Sequence, residues 1–266
     1  MNDYSQYFEA NRQLWNKRTV VHKDSSFYDL KGFREGANVL TPIELKELGD
    51  VKGKKMLHLQ CHFGMDSLNW ARMGAQVTGV DLSDEAIREA RQLNDELGLN
   101  AEFICCNVYD LKDHLDEKFD IVFTSYGVVG WLPDLDKWAG IISHCLKPGG
   151  VFYIAEFHPV VWMFDDEFKE IKYSYENKEM IVIDSQGTYT DRNAAIEAKE
   201  YSWNHSLSEV INALIGQGLE IQSLNEYMYS PYPCFSNVVK NPEGNWWIKG
   251  LEDKIPMVYS IKAAKK

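Results

Sequence analysis

Five short apolar runs, each closed by polar or glycine-containing turns, set the rhythm of the first 160 positions. They are Met56 to Leu59, Val77 to Val80, Ala101 to Cys106, Phe119 to Thr124 and Val151 to Glu156. Runs of this length bounded by turn residues predict buried strands. Helical periods lie between them. Asp66 to Met73 stops at Gly74. Asp84 to Leu97 carries Ala86, Ile87, Ala90, Leu93 and Leu97 on one face, with Ser83 to cap it and Gly98 to end it. Pro133-Asp134 opens a third helix, to Leu146, which Lys147-Pro148-Gly149-Gly150 stops. Strands alternating with helices predict a mostly parallel sheet with right-handed crossovers.

The rhythm changes beyond Phe157. From there to Asn204 no crossover helix is evident, whereas aromatics and short β-like runs are frequent, at Lys172 to Tyr175, Met180 to Ile183 and Glu200 to Trp203. This stretch, taken as 157–205, predicts a β-rich insertion capping the carboxyl edge of the sheet over a substrate. A helix returns at Ser206 to Gln217, with Ser206 and Glu209 spaced as a capping box. Leu219 to Tyr229 and Pro256 to Ala263 follow as two strands joined by a loop rich in Pro and Trp. Ahead of the first strand, residues 1–50 predict a helical lid. Tyr7 to Trp15 reads as a helix, and Thr41-Pro42 followed by Glu44 reads as a helix start.

Composition narrows the partners. The chain has 266 residues, 45% hydrophobic and 26% charged, within the range of ordinary globular domains. No apolar run approaches the roughly 20 residues of a membrane helix, and the first residues lack the apolar core of a signal peptide. Five cysteines without a Cys-x-x-Cys pair predict buried thiols and a cytoplasmic address. The net charge is −12, with one basic cluster at Lys262 to Lys266, so nucleic acid is the least expected partner and a small molecule the first. His58 and His62 are four apart but span a strand and a turn, and no metal site is expected.

The chemistry concentrates on Lys55 to Leu82: strand, turn, helix, strand, acid. Such a unit can hold a ligand tail at the turn and a ribose on the acid, Asp81. The turn, Gln60-Cys61-His62-Phe63-Gly64, has a single glycine, which argues against the G-x-G-x-x-G fingerprint of a dinucleotide. It resembles instead the first motif of class I S-adenosylmethionine-dependent methyltransferases, and more closely a bacterial subgroup with an LHLQCHFG-type turn. Family members usually carry an acid where this chain has His58 and glycines where it has Gln60 and His62.

The resemblance spans about 51 to 265, excluding the insertion. It implies a Rossmann-like fold, with seven strands, mostly parallel, and an antiparallel last strand. S-adenosylmethionine is then the cofactor and S-adenosylhomocysteine its product. The turn residues Gln60, Cys61, His62, Phe63 and Gly64 would meet the cofactor's tail, Asp81 its ribose, and Leu82, Asn107 and Val108 its adenine. Ser125 would lie at the methionine end, and Tyr126 would face the transferred methyl. Tyr28, in the lid, is a further candidate for cofactor contact. Trp15, Trp131, Trp162 and Trp203 are candidate walls of the substrate pocket. His158 and His205, predicted near the same edge, are with Tyr126 the candidate catalytic groups, since imidazole titrates near neutrality. Methyl transfer to a small molecule is the expected activity. Action on a protein or nucleic acid and a non-catalytic cofactor-binding module remain open beside it.

Overall fold

The computed structural model describes residues 4–266. Three helices, α1 (Ser5–His22), α2 (Leu30–Arg34) and α3 (Pro42–Leu48), precede a βα alternation: β1 (Lys55–Leu59), α4 (Met65–Arg72), β2 (Gln76–Asp81), α5 (Asp84–Leu97), β3 (Glu102–Cys105), β4 (Phe119–Ser125), α6 (Leu135–Cys145) and β5 (Leu146–Phe157). The remainder comprises β6 (Ile181–Gln186), β7 (Glu197–Ser202), α7 (Leu207–Gly216), β8 (Leu219–Tyr227), β9 (Val238–Lys240), β10 (Trp246–Ile248) and β11 (Val258–Lys265).

Seven strands form the main sheet in the order β3-β2-β1-β4-β5-β11-β8. The first five are mutually parallel, and β11 runs antiparallel to both β5 and β8. Strand alternation sends successive side chains to opposite layers. Met56, Phe123 and Tyr153 join one core with Phe33 and Trp70. Leu57, Val122, Phe152 and Ile154 join the other with Trp138. The strand order reverses at β1, between β2 and β4, and a crevice opens above the carboxyl ends at such a point.

Capping residues fix the helix starts that face this edge. Ser83 accepts from the Ala86 N–H to begin α5, and Asp134 from the Lys137 N–H to begin α6. Thr41 and Glu44 close a reciprocal box at α3. At α7, Ser206 accepts from the Glu209 N–H as expected, but the Glu209 carboxylate lies 3.0 Å from His205.

The 157–205 stretch contributes the β6–β7 hairpin, whose strands are shifted from the sequence-based bounds. Lys172 to Tyr175 is not a strand, because the Lys172 and Tyr173 N–H groups both turn back to the Met163 carbonyl. A second hairpin, β9–β10, lies inside the loop between β8 and β11. Helix α1 is fastened across this roof. Asn11 exchanges two hydrogen bonds with the Tyr201 backbone, at 2.7 and 3.0 Å. Arg18 pairs with Glu200 at 2.6 Å, and the Ser83 hydroxyl donates to Asn16 at 2.6 Å. No helix among the described residues is long and apolar enough to cross a membrane.

Candidate active site

Two adjoining cavities occupy the carboxyl edge. The smaller, of about 140 Å³, is lined by Val80, Asp81, Leu82, Cys106, Asn107, Val108 and Leu132. The larger, of about 800 Å³, lies under α1, α2 and the hairpin of the insertion. Trp15, Tyr28, Gln60, His62, Tyr126, Gly127, Trp131 and Tyr189 face both and form the wall between them.

The wall is built on an unusual turn. Gln60 and His62 take left-handed backbone angles, φ +56° and +51°, a conformation that glycine adopts without steric cost. Side chains are therefore added where glycine would leave open space. The Gln60 amide donates to the Val128 carbonyl at 2.9 Å, while its oxygen is buried without a partner. His62 joins His22 through a 3.0 Å hydrogen bond, and His22 reaches the Thr188 hydroxyl at 2.6 Å. Burial, with the Arg18 charge nearby, lowers His62 to about 3. His22 is lowered to about 2 by burial and then by His62 and Arg18. Both rings are thus neutral at pH 7.

Asp81 stands at the floor of the smaller cavity. Its Oδ2 accepts from the His62 N–H at 2.8 Å and its Oδ1 from the Ser83 N–H at 2.8 Å. Burial raises its carboxyl to about 6 against these bonds. Leu82, Asn107 and Val108 line the same space. The Asn107 amide oxygen caps the next turn by accepting from the Tyr109 N–H at 3.1 Å, so it is already committed to the backbone.

Cys61, Phe63, Gly64, Ser125 and Trp162 line the larger cavity. The loop after β4 is held by Glu156, whose buried carboxylate accepts from the Gly127, Val128 and Val129 N–H groups. The Tyr126 hydroxyl donates to Glu44 at 3.2 Å. Burial raises Glu44 to about 7.

Three residues singled out in the sequence are not brought to either cavity. His158 is buried, 2.9 Å from Glu226, and its Nδ1 accepts from the Val160 N–H. His205 is buried against the Leu132 carbonyl at 2.6 Å. Trp203 is buried with its ring on Tyr4 and Tyr7, while its backbone N–H donates to the Gly130 carbonyl. Backbone or carboxylate partners hold the two histidines, and ring packing holds the tryptophan, behind the edge.

The sequence profile of the methyltransferase-domain family matches residues 56–150, the span from β1 into β5 that carries the turn, Asp81 and Ser125. Residues 56–150 are thus similar to a methyltransferase domain. The ubiquinone biosynthesis O-methyltransferase of Idiomarina loihiensis is 30% identical over 135 residues, 49% of this chain and 55% of that protein. That of Proteus mirabilis is 28% identical over 158 residues, 58% of this chain and 64% of its own length. The chain thus spans little more than half the length of these curated relatives. Among solved structures, a S-adenosylmethionine-dependent methyltransferase from Mesorhizobium loti superposes with a TM-score of 0.57 at 18% identity, covering 87% of this chain and 100% of that one. Geranyl diphosphate C-methyltransferase from Streptomyces coelicolor, solved with S-adenosyl-L-homocysteine, gives 0.54 at 14% identity over 89% and 79%. At these identities the likeness is one of fold.

The residues lining these cavities fit S-adenosylmethionine. An acid and an apolar strip share the smaller cavity, and the partnerless Gln60 oxygen sits at its border with the larger one. Several residues of this site carried no sequence signal that was read. Arg18 and His22 follow Trp15 at i+3 and i+7 on α1, a spacing that could have marked one face. Glu44 looked complete as a cap. Asp66 opens the helical run Asp66 to Met73, two residues beyond Gly64, and nothing in the sequence distinguishes it from an ordinary first-turn acid.

Proposed function

We propose that this protein transfers a methyl group from S-adenosylmethionine to a small molecule. The observation that carries this reading is the pair of cavities meeting at one aromatic wall, the smaller containing Asp81 and the larger enclosed by the lid and the insertion. When bound, S-adenosylmethionine supplies a methyl group on a cationic sulfur. Asp81 accepts hydrogen bonds from the ribose, and the left-handed turn presents backbone to the aminoacyl tail. Trp15, Tyr28, Tyr126 and Trp131 surround the junction and exclude water, and their ring faces tolerate the positive charge that disperses during transfer. Holding donor and acceptor in line contributes about 7–11 kcal/mol when the geometry is good.

An O–H or N–H acceptor must also lose a proton. His22 and His62 are poor proton acceptors, since burial keeps them neutral far below pH 7. Glu44, raised to about 7, is better matched, and Tyr126 connects it to the junction of the cavities. We assign proton removal to this pair. The lid and the β6–β7 hairpin serve as the substrate cap.

Calorimetry with S-adenosylmethionine and S-adenosylhomocysteine tests the first half of the proposal. Heat from both is expected, and none at millimolar ligand would defeat it. A mass-spectrometric screen of a metabolite extract for gains of one methyl group, requiring both protein and S-adenosylmethionine, tests the second.

A further inference from the structure

The larger cavity contains a carboxylate that the mechanism above leaves idle. Asp66, in the first turn of α4, faces the cavity and accepts one hydrogen bond, from the Ser125 hydroxyl at 3.1 Å. Among the described residues no lysine, arginine or histidine pairs with it, and Tyr28 and Tyr232 lie near enough to interact with its charge. A carboxylate removed from water requires a cation or further donors.

The position of His58 gives this acid a meaning. In the family that this chain resembles, an acid usually stands where β1 carries His58. Here the imidazole is buried, with Nδ1 on the Ser67 hydroxyl at 2.7 Å and Nε2 3.4 Å from the Ser125 hydroxyl. Ser125 therefore lies between the His58 imidazole and the Asp66 carboxylate. The carboxylate beside this hydroxyl, at the end of β4, thus comes from position 66 rather than from position 58.

We propose that Asp66 holds the α-ammonium group of the methyl donor, from the first turn of α4 rather than from the end of β1. This rests on the reading of the protein as a methyltransferase. The donor is favoured over an amine acceptor because Asp66 is two residues from the turn that receives the donor's tail and is bonded to the strand end facing it.

The test compares S-adenosylhomocysteine with its deaminated analogue, in which hydrogen replaces the ammonium, by calorimetry on the full chain. The wild type should bind the amine-bearing ligand about tenfold or more tightly, a difference of about 1.4 kcal/mol. Asp66→Asn should bind the two within about twofold. Retained affinity of this variant for the deaminated ligand reports an intact fold, and Asp66→Ser repeats the comparison if the asparagine variant does not fold. An asparagine variant that keeps the tenfold preference overturns the assignment. So does a wild type that binds both ligands equally, which would leave the carboxylate to an amine acceptor. A wild type that binds neither ligand defeats the methyltransferase reading instead.

Discussion

The His62 N–H donates to the Asp81 carboxylate across 2.8 Å, joining the turn after β1 to the last residue of β2. One bond thus sets the floor of the smaller cavity and the left-handed course of the wall above it. Asp81→Ala removes the acceptor of both the His62 and Ser83 N–H groups as well as the proposed ribose contact. Affinity for S-adenosylhomocysteine should fall about 10–100-fold, and stability by about 1–3 kcal/mol. Calorimetry and urea unfolding measure the two effects separately.

Asp66 makes the unliganded protein sensitive to pH in an identifiable direction. Burial raises its folded-state carboxyl to about 6, against about 3.9 in an unfolded chain. Between those values the folded state binds more protons than the unfolded one, so this group's contribution declines as pH rises from about 4 through 6. Asparagine does not titrate and retains an oxygen for Ser125. Asp66→Asn should therefore gain about 1–2 kcal/mol over the wild type at pH 7.5, shrinking towards zero at pH 4. Urea unfolding of both proteins across this range without ligand checks it; a gain that grows at low pH would contradict the sign.

Glu44→Gln keeps the cap of α3, since glutamine also serves at that position. It removes the group that takes a proton near pH 7. The rate with an identified acceptor should drop about 10²-fold or more, the scale of general acid–base catalysis. The limb of the pH–rate profile near 7 should disappear while melting changes little. Tyr126→Phe should lower the rate and remove the same limb, because Glu44 reaches the junction only through the Tyr126 hydroxyl.

Asn11→Ala cuts both bonds to the Tyr201 backbone. The cost, about 1–3 kcal/mol, should appear as local opening of α1 rather than global unfolding. Amide exchange in α1 and β7 should accelerate together, with exchange in β1 and β4 unchanged.

His158→Gln and His205→Gln should leave turnover within about threefold of wild type while lowering the melting temperature, as expected for side chains whose partners are structural. Steady-state rates beside melting curves decide this, and a large loss of turnover in a fully folded variant would restore either histidine to the chemistry.

The sheet was legible because each strand is announced by its own neighbours. Met56 to Leu59 and Val77 to Val80 are apolar, short and bounded by turn residues, and their pairing is visible as Leu59 opposite Val80. The turn after β1 and Asp81 at the end of β2 could be placed by spacing for the same reason. The remainder depends on distant partners. Whether His158 enters a cavity is decided by Glu226, and whether His205 does is decided by the Leu132 carbonyl. The role of Arg18 is set by Glu200 and Ser185, more than 160 positions away. The three-residue strands Val238–Lys240 and Trp246–Ile248 are too short for a period to register. Asp66 was hidden by its own plausibility, since an acid in a first helical turn is favourable whether or not it faces a ligand.

The bonds between α1 and β7 span 190 positions, which imposes an order on biosynthesis. As the ribosome releases the chain, α1 emerges well before the strand that clamps it. The βα units from β1 to β5 can associate earlier through contacts close in sequence. The paired cavities consequently acquire their roof late, and a nascent chain halted before residue 200 would contain the Asp81 floor without the clasp that shuts the space above it.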